Sequence, residues 1–163
     1  MDTTVLEEYV QNSLEQETIE LNRLVNLVND SIHIESVNGK IVSTSNLDSA
    51  ALELLAMKIP AECLRIQSAL NQYTARNVFR DINIETKVTQ GIEALLGTKG
   101  NADERRRRAE LAVQDERALN LANKTIVKGL QGCIDRADKV YEGIEKVMDF
   151  RAREGWFDRK APL

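Results

Sequence analysis

Near the start of the chain, hydrophobic residues recur at alternating spacings of three and four residues. This spacing is typical of a helix that packs through a heptad seam, and it predicts a helix from about Thr4 to Val28. Glu17 is the one polar member of this seam. The hydrophobic seam positions are Val10, Leu14, Leu21, Leu24 and Val28. Such a seam packs either inside a bundle of the same chain or against a second copy, and the pattern leaves both open.

The pattern changes at residues 31–44, where β-branched residues stand on both sides of Asn38 and Gly39. Asn-Gly between two such segments favours the tight turn of a β-hairpin, because both residues tolerate positive φ. Two isolated strands are only marginally stable, so we expect this hairpin to pack on helices or to pair with another copy. A short apolar helix is predicted from about Ser45 to just before Pro60, since the residue that precedes a proline disfavours helical geometry.

From Pro60 to Gly155 the sequence has no further proline, and its hydrophobic spacing predicts two long helices. A polar turn at residues 97–101 separates them, and Asn101 and Glu104 have the spacing of a capping box. About 50 residues of uninterrupted second helix would extend roughly 75 Å, which is too long for one antiparallel partner to cover. Part of its seam is therefore expected to pack on the N-terminal segment or on another subunit. The seam positions concerned are Val140, Ile144 and Val147.

Together these patterns predict an all-α fold, a long antiparallel helical hairpin or bundle with a small β-hairpin as an appendage. The length of 163 residues fits one domain. Aromatic residues make up only 4% of the chain, which suits aliphatic helix seams better than a β-sandwich. We expect two segments, residues 1–59 and residues 60–163, to form one integrated domain.

Charge is distributed unevenly along the chain, although the formal net charge is only -4. Residues 1–59 carry ten acidic and three basic residues, whereas residues 60–163 carry 16 acidic and 19 basic residues. The second segment is therefore able to bind an anion, whereas the first segment repels it. Ordinary surface helices laced with salt bridges would produce the same composition.

Little in the sequence indicates catalysis. The chain has one histidine, and its two cysteines, Cys63 and Cys133, lie at apolar helical positions without metal-ligand spacing. We expect both to be small core residues, and we expect no metal, no cofactor and no enzymatic activity. The acidic N-terminus lacks the features of a signal peptide, and no stretch approaches the roughly 20 apolar residues of a membrane span. A cytoplasmic protein is therefore expected.

Four consecutive arginines, Arg105, Arg106, Arg107 and Arg108, are the strongest candidate for a binding site. In a helix they would form a positive collar, because consecutive residues project at intervals of about 100°. Their place near the helix N-terminus is electrostatically unfavourable, which suggests a use in binding. Guanidinium groups bind phosphates in a bidentate manner, so these arginines and Lys99 are suited to hold a nucleic-acid backbone. Alternatively, they are solvated and paired with neighbouring carboxylates.

A second basic group lies near the C-terminus, where aromatic residues stand among the cations. Cations interleaved with aromatics suit single-stranded nucleic acid, whose bases stack while the cations hold phosphate. The helix dipole also favours cations at a helix C-terminus, so a structural role is the alternative. The candidate residues are Lys146, Arg151, Arg153 and Trp156, with Phe157, Arg159 and Lys160 beside them.

The segment over residues 60–157 combines a long helix, a short glycine-containing turn and a second long helix. That second helix begins Gly100-Asn101-Ala102-Asp103-Glu104-Arg105 and ends Phe150-Arg151-Ala152-Arg153-Glu154-Gly155. This arrangement resembles small helical phage proteins of DNA metabolism, and most nearly the phage-type recombination mediator. The resemblance implies a phage-encoded protein, acting in a bacterial host, that forms ring-like oligomers and helps to load a recombinase onto single-stranded DNA.

Two functions follow as hypotheses. The first is an oligomeric, non-enzymatic accessory protein of nucleic-acid metabolism that binds single-stranded nucleic acid or a recombinase. The second is a helical protein-interaction or assembly module without nucleic-acid binding, such as a phage structural or packaging adaptor or an inhibitor of a host protein. In the second, the arginines contact an acidic protein surface. Both hypotheses predict a homo-oligomer and no membrane partner.

Overall fold

The computed structural model describes residues 2–37, 39–98 and 100–158. In these residues, four helices and one two-stranded antiparallel sheet confirm the predicted all-α class with a β-hairpin. The elements in chain order are α1 (Thr3–Ser31), β1 (Ile32–Val37), β2 (Lys40–Ser45), α2 (Ser49–Ala94), α3 (Ala102–Ala112) and α4 (Gln114–Asp158).

Two predictions about where helices end are wrong. α2 continues through Pro60, although a proline removes one backbone hydrogen bond and crowds the preceding turn. The buried side chains of Ile59 and Ile66 hold the helix on both sides of this position. The predicted second long helix is interrupted at Val113, whose φ of -109° and ψ of 12° separate α3 from α4.

Backbone contacts group the chain into two compact units. The first unit contains the described part of Met1–Glu17 together with Ser68–Leu130. The second unit contains Thr18–Gln67 together with the described part of Gln131–Leu163. α1, α2 and α4 therefore each contribute residues to both units. The integration of residues 1–59 and 60–163 into one domain stays a prediction.

In the first unit, α2 runs antiparallel to α3 and α4. Gly91 lies against Ala109, and further back along α2 Asp81 accepts a hydrogen bond from Asn120 of α4. The α2 numbers fall as the partner numbers rise, which is the signature of antiparallel helices. A Cβ at position 91 would lie 3.0 Å from the Ala109 Cβ, so glycine permits the close approach of the two helices.

α1 lies parallel to α4 in the same unit. The Tyr9 hydroxyl donates a hydrogen bond to Asn123 Oδ1 at 3.0 Å, and further along both helices Leu14 packs over Gly129. The hydrophobic residues that are buried in this unit come from α2, α3 and α4 and from the residue between the last two. They are Leu70, Ile84, Ala109, Val113, Ala122, Ile126 and Leu130.

Buried asparagines accompany this hydrophobic core. Asn123 is satisfied, because it accepts the Tyr9 bond and donates to the backbone carbonyl of Leu119 at 2.9 Å. Asn77 is 6% exposed, yet its Oδ1 has no hydrogen-bond partner in the described part of the chain. A buried oxygen without a donor costs roughly 1–3 kcal/mol.

Asn77→Leu is therefore expected to raise the free energy of unfolding by about 1–2 kcal/mol, because leucine has a similar size and requires no hydrogen bond. Urea denaturation followed by circular dichroism measures the change. The control is Asn83→Leu at an exposed position of the same helix, which should leave stability within about 0.5 kcal/mol. A loss of stability in Asn77→Leu would contradict the assignment of an unpartnered oxygen.

In the second unit, the β-hairpin connects α1 to α2. Its register pairs Ile32 with Ser45 at the open end and Val37 with Lys40 at the turn. Gly39 has φ of +76°, as predicted for an Asn-Gly turn, whereas Asn38 lies outside the described residues. The Cys133 thiol of α4 donates to Asn22 Oδ1 of α1 at 3.4 Å, so these helices are in contact within the unit.

Most of the predicted seam positions belong to the core of the second unit. Five of the eight are 0–3% exposed: Leu21, Leu24, Val28, Ile144 and Val147. Their surface is covered by the chain itself, which is the first of the two alternatives that the heptad pattern left open. A heptad pattern indicates that a helix face is covered, but not which chain covers it. The three half-buried positions are Val10, Leu14 and Val140.

Candidate nucleic-acid interface

The arginine run lies in the first turns of α3, whose start is fixed by a capping box. Asn101 Oδ1 accepts a hydrogen bond from the Glu104 backbone N–H at 2.8 Å, and Glu104 Oε2 accepts one from the Asn101 N–H at 3.3 Å. This confirms the predicted cap. The preceding Gly100 has φ of +140°, a conformation that side-chain-bearing residues rarely adopt. Lys99, which was predicted to belong to the site, lies outside the described residues.

The four arginines differ in their surroundings. Arg105 is half-buried, and its Nε has no hydrogen-bond partner among the described residues. Arg106 is paired, with its Nε 3.1 Å from Glu110 Oε1. Arg107 and Arg108 are exposed and form neither an ion pair nor a hydrogen bond with residues 2–37, 39–98 or 100–158. The predicted collar thus contains two guanidinium groups that are free to meet a ligand.

Arg107 borders a surface cleft of about 380 Å³ at the junction of α3 and α4. The residues that line this arginine cleft are Arg107, Glu110, Leu111, Gln114 and Arg117. The buried side chain of Val113 anchors the junction beneath it. The Val113 backbone N–H is directed at the carbonyls of residues 110 and 111, which ends α3. The break therefore places one arginine from each helix on the same cleft.

The charges in the arginine cleft favour an anion. Glu110 Oε1 lies 3.1 Å from Arg106 Nε but 3.8 Å from Arg117 Nη2, so its hydrogen bond goes to Arg106. Arg117 is left with only a weak ion pair, and Arg107 with none. Leu111 is exposed and adds apolar surface between the two cations. A nucleotide fits this combination, because its phosphate pairs with guanidinium groups and the flat face of its base packs on an apolar side chain.

Three residues of the cleft, Leu111, Gln114 and Arg117, were missed in the sequence. They were overlooked because one continuous helix was predicted from Asn101 onwards. A signal for the break was present, since Asp115 and Glu116 form the acidic first turn of α4. Acidic residues are favoured at the start of a helix, where they complement its dipole.

One member of the second predicted basic group, Arg151, is bound within the chain. Arg151 Nη2 donates to the backbone carbonyls of Ser45 at 2.8 Å and Leu47 at 2.6 Å, so this side chain joins α4 to the end of the hairpin. Lys146 and Arg153 are exposed on α4 beside β2. The side chains of Trp156 and Phe157 lie outside the described residues, as do Arg159 and Lys160.

An apolar groove of about 430 Å³ lies between α1 and α4 in the first unit. Glu7 is the one charged residue that lines it among the described residues. Leu121 lines the groove and is 67% exposed, which is unusual for a leucine at a helix interface. The other apolar lining residues are Leu6, Val10, Ala118 and Ala122.

The two cysteines occupy different environments in the second unit. Cys133 is buried, as predicted, whereas Cys63 is half-buried between α2 and α4. Burial, and to a smaller extent the Asp138 carboxylate, raises the pKa of the Cys63 thiol to about 11. The thiol is therefore almost wholly protonated at neutral pH and is a poor nucleophile.

Alkylation of Cys63 by iodoacetamide at pH 8 is expected to be about 100-fold slower than that of a cysteine peptide. The rate should rise about tenfold per pH unit up to pH 10, because the pKa lies above this range. The measurement uses a Cys133→Ser variant and intact-mass spectrometry. A rate that levels off near pH 9 would show an ordinary thiol pKa and contradict this prediction.

Within residues 2–37, 39–98 and 100–158, histidine, cysteine, aspartate and glutamate side chains form no cluster suited to hold a metal ion. The same residues contain no helix with the length and apolar character needed to cross a bilayer.

No protein-family model, curated protein or solved structure matches the chain. The resemblance to the phage-type recombination mediator therefore stays a prediction that rests on the sequence arrangement.

Proposed function

We propose that this protein is a non-enzymatic accessory protein of nucleic-acid metabolism that binds the backbone of a single strand at the arginine cleft. The observation that carries the proposal is the pair of exposed arginines, Arg107 and Arg108, without an acidic partner in the described part of the chain. Arg117 adds a third cation on the neighbouring helix.

The surroundings of these arginines support an anionic ligand. Arg107 and Arg108 lie in the second turn of α3, beyond the first turn in which the helix dipole acts on side chains. Neither has an acidic partner in the described part of the chain, and a bound phosphate supplies the negative charge that their guanidinium groups favour. Two unpaired arginines at such a place are therefore best explained by a ligand that carries phosphates.

The finer assignment follows the sequence resemblance. It describes a homo-oligomer, encoded by a phage, that helps to place a recombinase on single-stranded DNA in the cytoplasm of a bacterial host. Exposed apolar side chains support contact with another subunit. On α2 of the first unit these are Val78, Phe79 and Ile82.

Fluorescence anisotropy with a labelled single-stranded oligonucleotide tests the proposal. Three arginine–phosphate contacts predict that affinity falls about 20-fold between about 50 and 200 mM salt. Arg107→Gln should reduce the slope of log affinity against log salt by about 0.7, the value for one lost contact with a single strand. Arg136→Gln, at an exposed arginine of the second unit, should leave the slope unchanged. Salt-independent binding, or equal weakening by both variants, would contradict the proposal.

A second function, a protein-interaction or assembly module, is favoured by the apolar groove between α1 and α4. The occupant that fits is an amphipathic helix of a partner protein with basic residues along one flank. Glu7 lines the groove, and residues 1–17 carry five acidic and no basic residues, so this side attracts positive charge.

Two leucines distinguish the functions, because Leu121 lines the groove and Leu111 lines the arginine cleft at nearly equal exposure, 67 and 66%. The test peptide is a labelled amphipathic helix with leucines on one face and lysines on one flank. Leu121→Asp should weaken binding of this peptide and leave binding of the oligonucleotide unchanged. Leu111→Asp should weaken binding of the oligonucleotide and leave binding of the peptide unchanged. Loss of peptide binding alone, with no oligonucleotide binding by the native chain, would favour the second function.

A further inference from the structure

The hydrogen bonds of the hairpin determine which backbone N–H and C=O groups of β2 point away from β1. The Asn46 N–H donates to the Ser31 carbonyl at 3.2 Å, one step beyond the pair Ile32–Ser45. Hydrogen-bonded and non-hydrogen-bonded pairs alternate in an antiparallel ladder. The backbone groups of Ile41 and Ser43, like those of Ser45, are therefore directed to the edge of β2 that lies away from β1.

The contacts of Ser45 agree with this alternation. Its carbonyl accepts a hydrogen bond from the guanidinium group of Arg151 on α4, so the outward edge of β2 faces α4. Residues 42–45 are half-buried without alternation, whereas residues 33–36 of β1 are exposed without alternation. The hairpin thus approaches the rest of the second unit by the edge of β2, and at its open end also by the Ile32 side chain, which lies beside Gly143.

The edge is open where it passes Ile41 and Ser43. Their outward N–H and C=O groups have no hydrogen-bond partner within the described part of the chain. A cavity of about 250 Å³ lies beside them. This edge cavity is lined by residues 41–43 of β2 and by Lys146, Asp149, Phe150 and Arg153 of α4. Three consecutive strand residues line it, as expected when a strand edge rather than one face borders a cavity.

We propose that the edge cavity binds an extended acidic peptide of a partner protein, which adds a short strand to β2 and pairs its carboxylates with Lys146 and Arg153. This site lies in the second unit and uses no residue of the arginine cleft, so it goes beyond the proposed function. Ile41 and Ser43 offer two donors and two acceptors, which is the main-chain part of recognition by strand addition.

The side chains of the cavity define the peptide. Lys146 and Arg153 lie two helical turns apart on α4 and favour carboxylates. Asp149 stands between them in sequence and disfavours a continuous acidic run. Phe150 and Ile41 supply apolar surface. The expected peptide therefore alternates acidic residues with valine or threonine, which also suits the period of two along a strand.

Proline substitution tests the strand addition. Ser43→Pro removes one outward donor without touching the ladder to β1, and proline is tolerated on an edge strand. Ser36→Pro is the matched control, because Ser36 pairs with Ile41 and directs its N–H to the free edge of β1. A fluorescein-labelled eight-residue peptide of alternating aspartate and valine should bind the wild-type chain and the control alike. Ser43→Pro should weaken it at least about tenfold.

Charge and hydrogen exchange supply independent readouts. Lys146→Glu with Arg153→Glu should also weaken the aspartate peptide at least about tenfold, and a lysine–valine peptide should not bind the wild-type chain. In the wild-type protein, the peptide should protect the amides of Ile41 and Ser43 from exchange. No binding, equal binding of the lysine peptide, or equal loss in Ser36→Pro would overturn the proposal. So would a wild-type dimer that Ser43→Pro dissociates without peptide binding, since a second copy would then occupy the edge.

Discussion

Reversing both positive charges of the arginine cleft, Arg107→Glu with Arg117→Glu, is expected to weaken binding of a single-stranded oligonucleotide at least about 100-fold at about 50 mM salt. Each substitution removes an attractive contact with phosphate and places a carboxylate in the same cleft. The effect exceeds that of neutralisation, because like charges in contact add repulsion to the lost attraction. Fluorescence anisotropy at equilibrium measures it.

The fold of α3 is expected to survive this change. Arg107 is exposed and forms no ion pair or hydrogen bond within the described part of the chain, so Arg107→Glu removes no contact that holds the helix. Circular dichroism and urea denaturation check this. The matched control is Lys128→Glu with Arg136→Glu, which changes the net charge equally at two exposed positions of α4. Equal weakening by both double variants would mean that the oligonucleotide responds to overall charge, and it would contradict a site at the cleft.

Arg151→Ala is expected to lower the free energy of unfolding by about 3 kcal/mol, although the sequence predicted this arginine as a binding residue. One guanidinium nitrogen donates to two backbone carbonyls, at 2.8 and 2.6 Å, and so joins α4 to the segment between the hairpin and α2. Removing it leaves two part-buried carbonyls without a donor, and hydrogen bonds from charged donors are the stronger kind.

Two further variants define the interpretation of Arg151. Arg151→Lys should recover only part of the stability. Arg151 Nη1 reaches Ser49 Oγ at 3.5 Å while Nη2 donates to the two carbonyls, and an ammonium group lacks this planar fork. Arg153→Ala, at an exposed position of the same helix, should change stability by no more than about 0.5 kcal/mol. Urea denaturation compares all three. A loss below about 1 kcal/mol in Arg151→Ala would contradict the structural role.

Local patterns in the sequence predicted the elements of the fold well. The spacing of Val10 to Val28 predicted α1, Asn38-Gly39 predicted the hairpin, and Asn101 with Glu104 predicted the cap of α3. Each of these signals acts between residues that are close in sequence, so it needs no knowledge of the tertiary packing.

The predictions from the sequence were wrong where tertiary packing overrides a local signal. Pro60 disfavours a helix interior, yet the buried residues on either side keep α2 continuous. Val113 was predicted to continue a helix, yet the helix breaks there and the Val113 side chain is buried. The acidic residues Asp115 and Glu116, which begin α4, were the sequence signal for this break. Leu21 and Ile144 have seam spacing that is identical for a chain's own core and for an oligomer.

The sequence predicted only part of the candidate site, again because tertiary contacts are not visible in it. Composition and spacing identified Arg107 and Arg108, but pairing decides whether an arginine is free, and pairing depends on geometry. Arg106 is held by Glu110 one turn away, and Arg151 by backbone carbonyls about 100 residues earlier in the chain. Only the first of these partners has a sequence spacing that indicates contact.

Photo-crosslinking from within the arginine cleft shows whether nucleic acid binds there. Gln114→p-benzoylphenylalanine places the reactive group in the cleft, and the same substitution at Gln131 places it at an exposed position of the second unit. On irradiation with a labelled single-stranded oligonucleotide at about 50 mM salt, we expect a covalent complex from position 114 and none from position 131. No complex from position 114, or equal yields from both positions, would contradict a nucleic-acid interface at the arginine cleft.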